Sequence, residues 1–291
     1  MNTYNLGGHS GCQIFLIEED DGRVYVRKIS KDKEYNSRLK IQSEKQANFS
    51  GEPIRAPKVF QQGYTDEGLF YFDMEYVQGV TLAEYIKNME IGKVRGLVEA
   101  LVSSLVPQRK VSVSEEQEKE VRDIFEKKFA DLHEKLYGKN EIINEALALL
   151  ETHDWSKLSP SKCHGDMTLE NIIVRNDQLY FIDFLDSFYD SWFLDVGTLL
   201  QDVQVMWSYR FQNDVSMNTV LRLIVFRDLL LEEIRKIDPS YVVEIYYALL
   251  QKLIRIYPYT KNELTYNFLN EKTRIVLKNI KTMEEQSQEG V

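Results

Sequence analysis

Hydrophobic and polar residues alternate through much of the first 78 positions, as they do in strands with one buried face. The segment CQIFLIEEDDGRVYVRKIS contains two β-rich runs joined by an acidic turn that ends in glycine, which predicts a hairpin. A second hairpin is predicted in KVFQQGYTDEGLFYFDMEYV, with its turn at TDEG. Between them, EYNSRLKIQSEKQANF has helical character and stops before Gly51 and Pro53. The pattern predicts a small antiparallel sheet with one helix.

The periodicity becomes helical from Thr81 onward. Helices are predicted in TLAEYIKNM, SEEQEKEVRDIFEKKFADLHEKLYG, NEIINEALALLETH and NELTYNFLNEKTRIVLKNIKTMEEQ. One hairpin interrupts them, with strands NIIVR and LYFIDF and turn residues Asn176 and Asp177. The fold class is therefore α+β, and the change at Gly79 predicts two lobes, residues 1–78 and 79–291.

Composition and charge limit the compartments and partners that are expected for this protein. The formal charge of −10 argues against a nucleic acid partner, which would need clustered Lys and Arg. Lys and Arg number 10 against 12 Asp and Glu up to residue 78, and 26 against 34 beyond it, so most of the excess acid lies in the helical part. Two cysteines, no signal-peptide pattern and no apolar run of about 18 residues favour a cytoplasmic protein without membrane insertion.

A glycine-rich segment, LGGHSG at residues 6–11, enters the first predicted strand. Backbone N–H groups of such a loop can approach phosphate oxygens because no Cβ stands in the way, although a plain glycine turn has the same composition. One strand later, alternation puts Lys28 on the same face as Val24 and Val26, at the edge of an apolar pocket. Lys28 could neutralise phosphates there, with Glu44 of the following helix as its partner.

The stretch CHGDMTLENIIVRNDQLYFIDFLD, residues 163–186, collects side chains that handle protons and metals. Asp183 at the end of an apolar strand and Asn171 in a neighbouring loop form a pair of oxygen donors of the type Mg²⁺ prefers. Asp166 is left to take or orient a hydroxyl proton. A phosphate cradle, a cation, metal ligands and a group that aims the nucleophile are the parts that phosphoryl transfer needs.

These segments together resemble the aminoglycoside phosphotransferase and choline kinase family, small-molecule kinases with a bilobal protein-kinase-like fold. HGD followed after four residues by N, then IDF and a further D, resembles the family's catalytic and metal motifs. LGGHSG resembles its nucleotide loop, YVRK its phosphate lysine, MEYVQGVTL its interlobe hinge, and FLDVG the segment after the metal aspartate. The markers span residues 6–197. Leu185 stands where protein kinases have glycine, which argues against an activation switch.

The resemblance implies an ATP- and Mg²⁺-dependent kinase, with a role for each matched residue. Asp166 would be the catalytic aspartate, Asn171 and Asp183 the metal ligands, and Lys28 the lysine on the α- and β-phosphates. Glu44 would be its helix partner, with Glu34 as a competitor. The nucleotide-binding residues would be Gly7, Gly8, Ser10, Gly11, Lys28, Glu44 and the hinge backbone from Glu75 to Val77. The acceptor would be a hydroxyl of a small molecule, such as an aminoglycoside, an amino alcohol or a sugar, and the acidic helical part favours an amine-bearing one.

Several nearby side chains have structural interpretations that outweigh functional ones. His164 is expected to brace the loop by hydrogen bonds, and Asp195 likewise. Asp186 could be a group behind the metal ligands or a substrate contact. Tyr189, Trp192 and the tyrosines of EIYYALL are expected in the core rather than in a cage for a quaternary ammonium.

Two other functions fit parts of the pattern. A metallophosphoesterase could use GD with a downstream Asn and scattered Asp and His, but the chain has four histidines and none follows the hairpin. A nucleotide-binding pseudokinase acting as an interaction module is disfavoured because the acid and amide positions are intact. The sequence therefore favours a small-molecule kinase.

Overall fold

The computed structural model describes residues 1–7, 11–105, 114–212 and 214–289. The chain forms two compact units. The first consists of Met1–Tyr85, His164–Asp166 and Glu170–Ser187, and the second of Ile86–Cys163, Met167–Leu169 and Phe188–Val291. Segments from both sides of a long helical stretch thus build the first unit. The lobe boundary after residue 78 stays a prediction.

An antiparallel sheet of five strands dominates the first unit. Its strands are β1 (Asn2–Asn5), β2 (Gln13–Glu18), β3 (Val24–Ile29), β4 (Val59–Tyr64) and β5 (Phe70–Glu75). Their order across the sheet is β1-β2-β3-β5-β4, so β3 pairs with β5 rather than with the next strand in sequence. Both predicted hairpins are present, and the antiparallel sheet is confirmed. Strand β1 was not predicted. All its residues are exposed, and its sequence has no hydrophobic alternation that would indicate a strand.

Helix α1 (Asn36–Ala47) packs against this sheet. Asp32 prepares its start by accepting a hydrogen bond from the Tyr35 amide at 2.7 Å. Its buried positions recur at helical spacing and form one face: Leu39, Gln42, Ser43 and Gln46. The core between helix and sheet is built from Cys12, Val26, Leu39, Phe70, Phe72 and Met74. The predicted helix is therefore the element that closes the sheet's apolar face.

A second, three-stranded antiparallel sheet completes the first unit. It contains β6 (Val80–Thr81), β7 (Ile172–Arg175) and β8 (Gln178–Phe181). The β7–β8 turn is the predicted pair Asn176 and Asp177, both with the positive φ (51° and 59°) that tight hairpin turns require. A Cβ on Gly79 would lie 2.4 Å from the Val174 carbonyl oxygen. Glycine therefore lets the segment before β6 lie directly on β7.

The second unit is helical, and the helix Leu82–Asn88 is shared between the units because their boundary follows Tyr85. Helices outside α1 are α2 (Leu82–Asn88), α3 (Val94–Leu105), α4 (Glu115–Leu136), α5 (Glu141–Thr152), α6 (Trp192–Val203), α7 (Met217–Ile237), α8 (Tyr241–Ile256) and α9 (Glu263–Glu289). Every residue of α6 is buried, and Gly197 allows it to approach Ala248 of α8, since a Cβ there would be 2.8 Å away. In the described ranges, every helix is too short or too polar to cross a bilayer.

Candidate active site

Lys28 and Asp183 form an ion pair, with the ammonium 2.9 Å from a carboxylate oxygen. Lys28 lies in β3, opposite Ile14 of β2 and Phe72 of β5, and only 3% of its side chain is exposed. A buried ammonium needs a partner because desolvation penalises its charge. Asp183, which is 39% exposed, supplies that partner. The structure thus brings together the predicted phosphate lysine and a predicted metal ligand.

The structure does not bring Glu44 or Glu34 to Lys28. Glu44 in α1 is half-exposed, and its ion pair is with Lys40 one turn away at 4.0 Å. Glu34 is exposed before the helix begins. The predicted Lys28–Glu44 pair is replaced by the Lys28–Asp183 pair, because the buried face of α1 is taken by the residues that pack on the sheet. A role for Glu44 in nucleotide binding stays a prediction.

His164 is buried and bonded through both ring nitrogens. Its Nε2 is 2.6 Å from the Ile182 carbonyl oxygen, and its Nδ1 accepts a hydrogen bond from the Asp166 amide at 3.2 Å. This pattern fits a neutral ring that carries its proton on Nε2. The ring also packs against Phe184, with centroids 4.5 Å apart. His164 therefore connects the Asp166 loop to the Asp183 segment, as expected of a brace.

Asp166 and Asn171 are joined by the Asn171 side-chain amide. Its nitrogen donates to the Asp166 carbonyl oxygen at 2.9 Å and to the Asp166 carboxylate at 3.1 Å. The Ile182 amide donates to the Asn171 carbonyl oxygen at 3.0 Å. The predicted base, the predicted amide ligand and the residue before Asp183 therefore form one hydrogen-bonded group. Its members come from two segments that the sequence separates by the β7–β8 hairpin.

Gly165 allows the loop that contains Asp166 to lie close to the residues that follow Asp183. Its φ of 92° lies in a region that other residues rarely adopt. A Cβ at this position would be 2.4 Å from the Ser187 hydroxyl oxygen and 3.0 Å from the Leu185 carbonyl oxygen. Asp183 also has a positive φ of 59°, without being glycine. Such backbone strain in a non-glycine residue often occurs at functional sites.

The donor atoms fit a magnesium ion. Because the Asn171 amide nitrogen bonds to Asp166, the amide oxygen is the atom that would hold a metal, together with the Asp183 carboxylate. Across the described ranges, no three side chains of His, Cys, Asp or Glu gather closely enough to hold a metal ion alone. Magnesium does not need such a group, since one or two protein oxygens, waters and substrate phosphates complete its octahedron.

The predicted nucleotide loop and hinge lie at the two ends of the first sheet. Gly7 and Gly11 have positive φ values of 71° and 78°, and the Leu6 amide donates to the carbonyl oxygen of Ile14 in β2. Gly8 and Ser10, also predicted to bind nucleotide, lie outside the described residues. Glu75 ends β5, and the chain from there through Val77 has no regular secondary structure after the strand.

Arg27 faces away from Lys28 and has its own partner. Its guanidinium binds both carboxylate oxygens of Asp73, at 2.7 and 2.8 Å, and lies 4.3 Å from the Tyr71 ring centroid. The hydrogen bond to Asp73 raises the pKa of Arg27 above its ordinary value. A bidentate ion pair of this kind stabilises the sheet. Lys28, and not Arg27, is therefore the cation of β3 that faces Asp183.

Asp202 was not among the residues predicted from the sequence. This fully buried side chain in α6 accepts hydrogen bonds from the amides of Leu169 and Ser208, at 2.6 and 2.8 Å, and from the Ser208 hydroxyl at 2.7 Å. It anchors the short 3₁₀ helix that begins at Leu169. A signal was present, because a carboxylate inside the apolar run FLDVGTLLQDV must find polar partners when buried.

The aromatic residues considered for a ligand cage lie in the core. Tyr189, Trp192, Tyr246 and Tyr247 are all less than 9% exposed. The Tyr189 hydroxyl donates to the Leu158 carbonyl oxygen, and burial raises the pKa of this tyrosine. The structural interpretation of these residues therefore holds.

Solved structures with the same fold include an aminoglycoside phosphotransferase, an amicoumacin kinase and a putative fructosamine-3-kinase. An aminoglycoside phosphotransferase APH(4)-Ia, in a ternary complex with ADP and hygromycin B, is 14% identical, with 95% of this chain and 93% of that chain covered and a TM-score of 0.61. The amicoumacin kinase hAmiN, in complex with AMP-PNP, Ca²⁺ and Ami, is 14% identical over 95% and 88%, with a TM-score of 0.62. A putative fructosamine-3-kinase from Haemophilus somnus is 14% identical over 96% and 91%, with a TM-score of 0.57. No curated protein matches significantly.

The fold is therefore α+β, with an antiparallel five-stranded sheet followed by a mostly helical region, as in structures of aminoglycoside phosphotransferases. The sequence matches the phosphotransferase enzyme family, APH, over residues 5–222, which is more than half of the chain. The protein belongs to this family and is a small-molecule kinase. The predicted family resemblance is confirmed.

Proposed function

We propose that this protein transfers the γ-phosphoryl group of ATP, bound with Mg²⁺, to a hydroxyl of a small molecule. The observation that carries the proposal is that Asp166 and Asn171 are hydrogen-bonded to each other and, through Asn171 and His164, to Ile182, whose neighbour Asp183 pairs with Lys28. These are the side chains that phosphoryl transfer requires, since most of its catalysis consists of positioning and charge stabilisation.

Asp166 is the proposed base. Its carboxylate receives the proton of the acceptor hydroxyl as the oxygen forms a bond to the γ-phosphorus. The bond between that phosphorus and the β–γ bridging oxygen breaks, and ADP leaves with the electron pair. The Asn171 amide holds the Asp166 carboxylate at 3.1 Å, which limits its rotation and aims it.

Lys28, Asn171 and Asp183 are proposed to receive the nucleotide phosphates. Magnesium, held by the Asn171 amide oxygen and the Asp183 carboxylate, would neutralise charge on the phosphate oxygens. The Lys28 ammonium is paired with Asp183 in this structure. When nucleotide binds, the ammonium would contact phosphate oxygens, either in place of Asp183 or together with it. Gly7, Gly8, Ser10 and Gly11 are proposed to cover the phosphates, and the backbone from Glu75 to Val77 to face adenine.

The acceptor is proposed to be a hydroxylated small molecule that also carries an amine. The excess of acidic residues beyond residue 78 supports a cationic acceptor. The structural relatives are named for an aminoglycoside, fructosamine and amicoumacin, so the fold accommodates acceptors of different sizes. A cytoplasmic location is part of the proposal, since Cys12 and Cys163 are buried thiols rather than a disulfide.

A coupled ADP-release screen tests this function. Purified protein is incubated with ATP and Mg²⁺ and with aminoglycosides, choline or ethanolamine, sugars and amino sugars, each beside the Asp166→Asn variant. We expect acceptor-dependent ADP release that the variant lacks, with a phosphorylated product of correct mass. Release of inorganic phosphate from phosphomonoesters without nucleotide, and no acceptor phosphorylation, would instead support a metallophosphoesterase.

A further inference from the structure

Two cations of helix α1 contact the residues that follow Asp183. Lys45 donates to the Leu185 carbonyl oxygen at 2.8 Å. Arg38 is 3.2 Å from the Asp186 carboxylate and donates to the Asp186 carbonyl oxygen at 3.3 Å. Arg38 and Lys45 are seven residues apart, which is two helical turns, so both project from the same side of α1. The helix thus holds two consecutive peptide groups just beyond Asp183.

Both backbone polar groups of Leu185 form hydrogen bonds. Its carbonyl oxygen accepts from Lys45, and its amide donates to the His164 carbonyl oxygen at 2.9 Å. Asp183, two residues earlier, has a left-handed backbone conformation, which costs free energy for a non-glycine residue, although aspartate adopts it more often than most. The α1 contacts lie after Asp183 in the chain, and the contact between the His164 ring and the Ile182 carbonyl oxygen lies before it.

An aromatic contact links the same regions. Phe49, just beyond the end of α1, packs with ring centroids 5.4 Å from Phe181 and 5.5 Å from Phe184. These two rings lie immediately on either side of Ile182 and Asp183. The α1 region therefore contacts the Asp183 segment through apolar as well as charged groups.

The charges pair separately. Lys28 binds Asp183 and Arg38 binds Asp186, so each of the two carboxylates has its own cation. Without Arg38, the Asp186 carboxylate would lose its cation close to Asp183 and would compete with Asp183 for Lys28 or for a metal ion. Helix α1 places no acidic side chain beside Lys28. The helix therefore contacts the candidate site through its cations Arg38 and Lys45.

We propose that Arg38 and Lys45 are positioning residues that hold the Asp183 segment in its metal-binding conformation. This inference rests on the proposed function for its metal-binding consequence, while the restraint itself concerns the protein alone. Arg38 is 55% exposed, and exposed ion pairs contribute little to overall stability. Loss of these contacts should therefore disturb the segment locally rather than unfold the protein.

The experiment compares Arg38→Gln, Lys45→Gln and the double variant with wild type, with Arg38→Lys as a conservative rescue. Lys40→Gln is the matched control, because it removes an exposed cation from the same helix that contacts Glu44 instead of this segment. Amide hydrogen exchange is measured without nucleotide, and the magnesium dependence of ADP binding is measured by calorimetry. Thermal unfolding reports overall stability.

We expect the Leu185 amide and its neighbours up to Ser187 to exchange several-fold faster in the double variant, with exchange elsewhere and the unfolding temperature nearly unchanged. Magnesium-dependent ADP binding should weaken about tenfold, at the lower end of effects for groups that orient metal ligands. Arg38→Lys should recover part of both effects, and Lys40→Gln should match wild type.

Unchanged exchange at these amides in the double variant would overturn the inference. A general increase in exchange with a lower unfolding temperature would also overturn it, because the cations would then serve overall stability only. If wild type binds no magnesium nucleotide, the proposed function fails, and the exchange comparison still decides whether Arg38 and Lys45 restrain the segment.

Discussion

The ammonium of Lys28 lies 2.9 Å from the carboxylate of Asp183, although 155 positions separate the two residues in the chain. A strand of the first sheet and the segment after β8 therefore share one ion pair. In the proposed reaction, this pair joins the phosphate-binding and metal-binding sides of the site, and the two partners should respond differently to substitution.

Lys28→Ala should weaken binding of magnesium ATP by about ten- to a hundredfold, because a charge-assisted contact contributes about 1.5–3 kcal/mol. Calorimetric titration of each purified variant measures the affinity. Lys40→Ala is the control, since Lys40 is an exposed cation of α1. Equal affinity in Lys28→Ala and wild type would assign phosphate binding to another cation.

Asp183→Asn should weaken the magnesium-dependent part of nucleotide binding as well as the rate, because an amide is a poorer ligand than a carboxylate for a hard cation. The amide oxygen can still accept from Lys28, so the fold should tolerate the change. Titrations with ADP at several magnesium concentrations separate the two contributions. A variant with unchanged magnesium dependence would remove Asp183 from the metal site.

Asp166→Asn should lower turnover by roughly 10²–10⁴-fold and leave nucleotide affinity nearly unchanged, because it removes the charge that accepts the proton. The amide oxygen at position 166 can still accept the Asn171 hydrogen bond, which preserves the local structure. ADP-release kinetics beside calorimetry test both halves of this expectation.

His164→Asn should affect stability more than turnover. The substitution removes ring packing on Phe184 and disturbs the bond to the Ile182 carbonyl oxygen, and an unsatisfied buried polar group costs about 1–3 kcal/mol. Urea unfolding measures the loss, and turnover of the folded variant is measured in parallel. If His164→Asn abolishes turnover while Asp166→Asn remains active, the base has been misassigned and the phosphoesterase alternative gains support.

Gly165→Ala should destabilise the protein more than Gly138→Ala does. Both glycines have positive φ, 92° and 81°, so each substitution carries a backbone penalty of about 1–2 kcal/mol. A Cβ at Gly138 meets nothing within 4 Å, whereas one at Gly165 meets Ser187 and Leu185. The difference between the two unfolding free energies isolates the steric contribution, and equal values would contradict it.

Local signals were sufficient to predict the three hairpins and the helix α1 of the first unit. The hairpins follow from alternation and from turn residues such as Asn176 and Asp177, whose side chains tolerate positive φ. Strand β1 lacked such a signal, because its four exposed residues are held by pairing with β2. The sheet order could not be predicted from local signals either, since β3 pairs with β5, and α1 and β4 separate the two strands in the sequence.

The candidate site was predictable as a set of residues but not as a set of contacts. Spaced motifs identified Asp166, Asn171 and Asp183, because the chemistry restricts the residue types. The partner of Lys28 was mispredicted, since helix position alone suggested Glu44 and the actual contact joins distant segments. The roles of Arg38 and Lys45 are of the same kind: exposed helical cations look like solvent-facing residues until tertiary packing provides their partners.

The division of the first unit between two chain segments has a consequence for synthesis. A nascent chain that has reached Tyr85 contains the five strands and α1, but not the β7–β8 hairpin with which β6 pairs. Phe49 then lacks both rings on which it packs in the finished protein. We expect this apolar surface to stay uncovered until Ser187 has left the ribosome, so the first unit can be completed only late in synthesis.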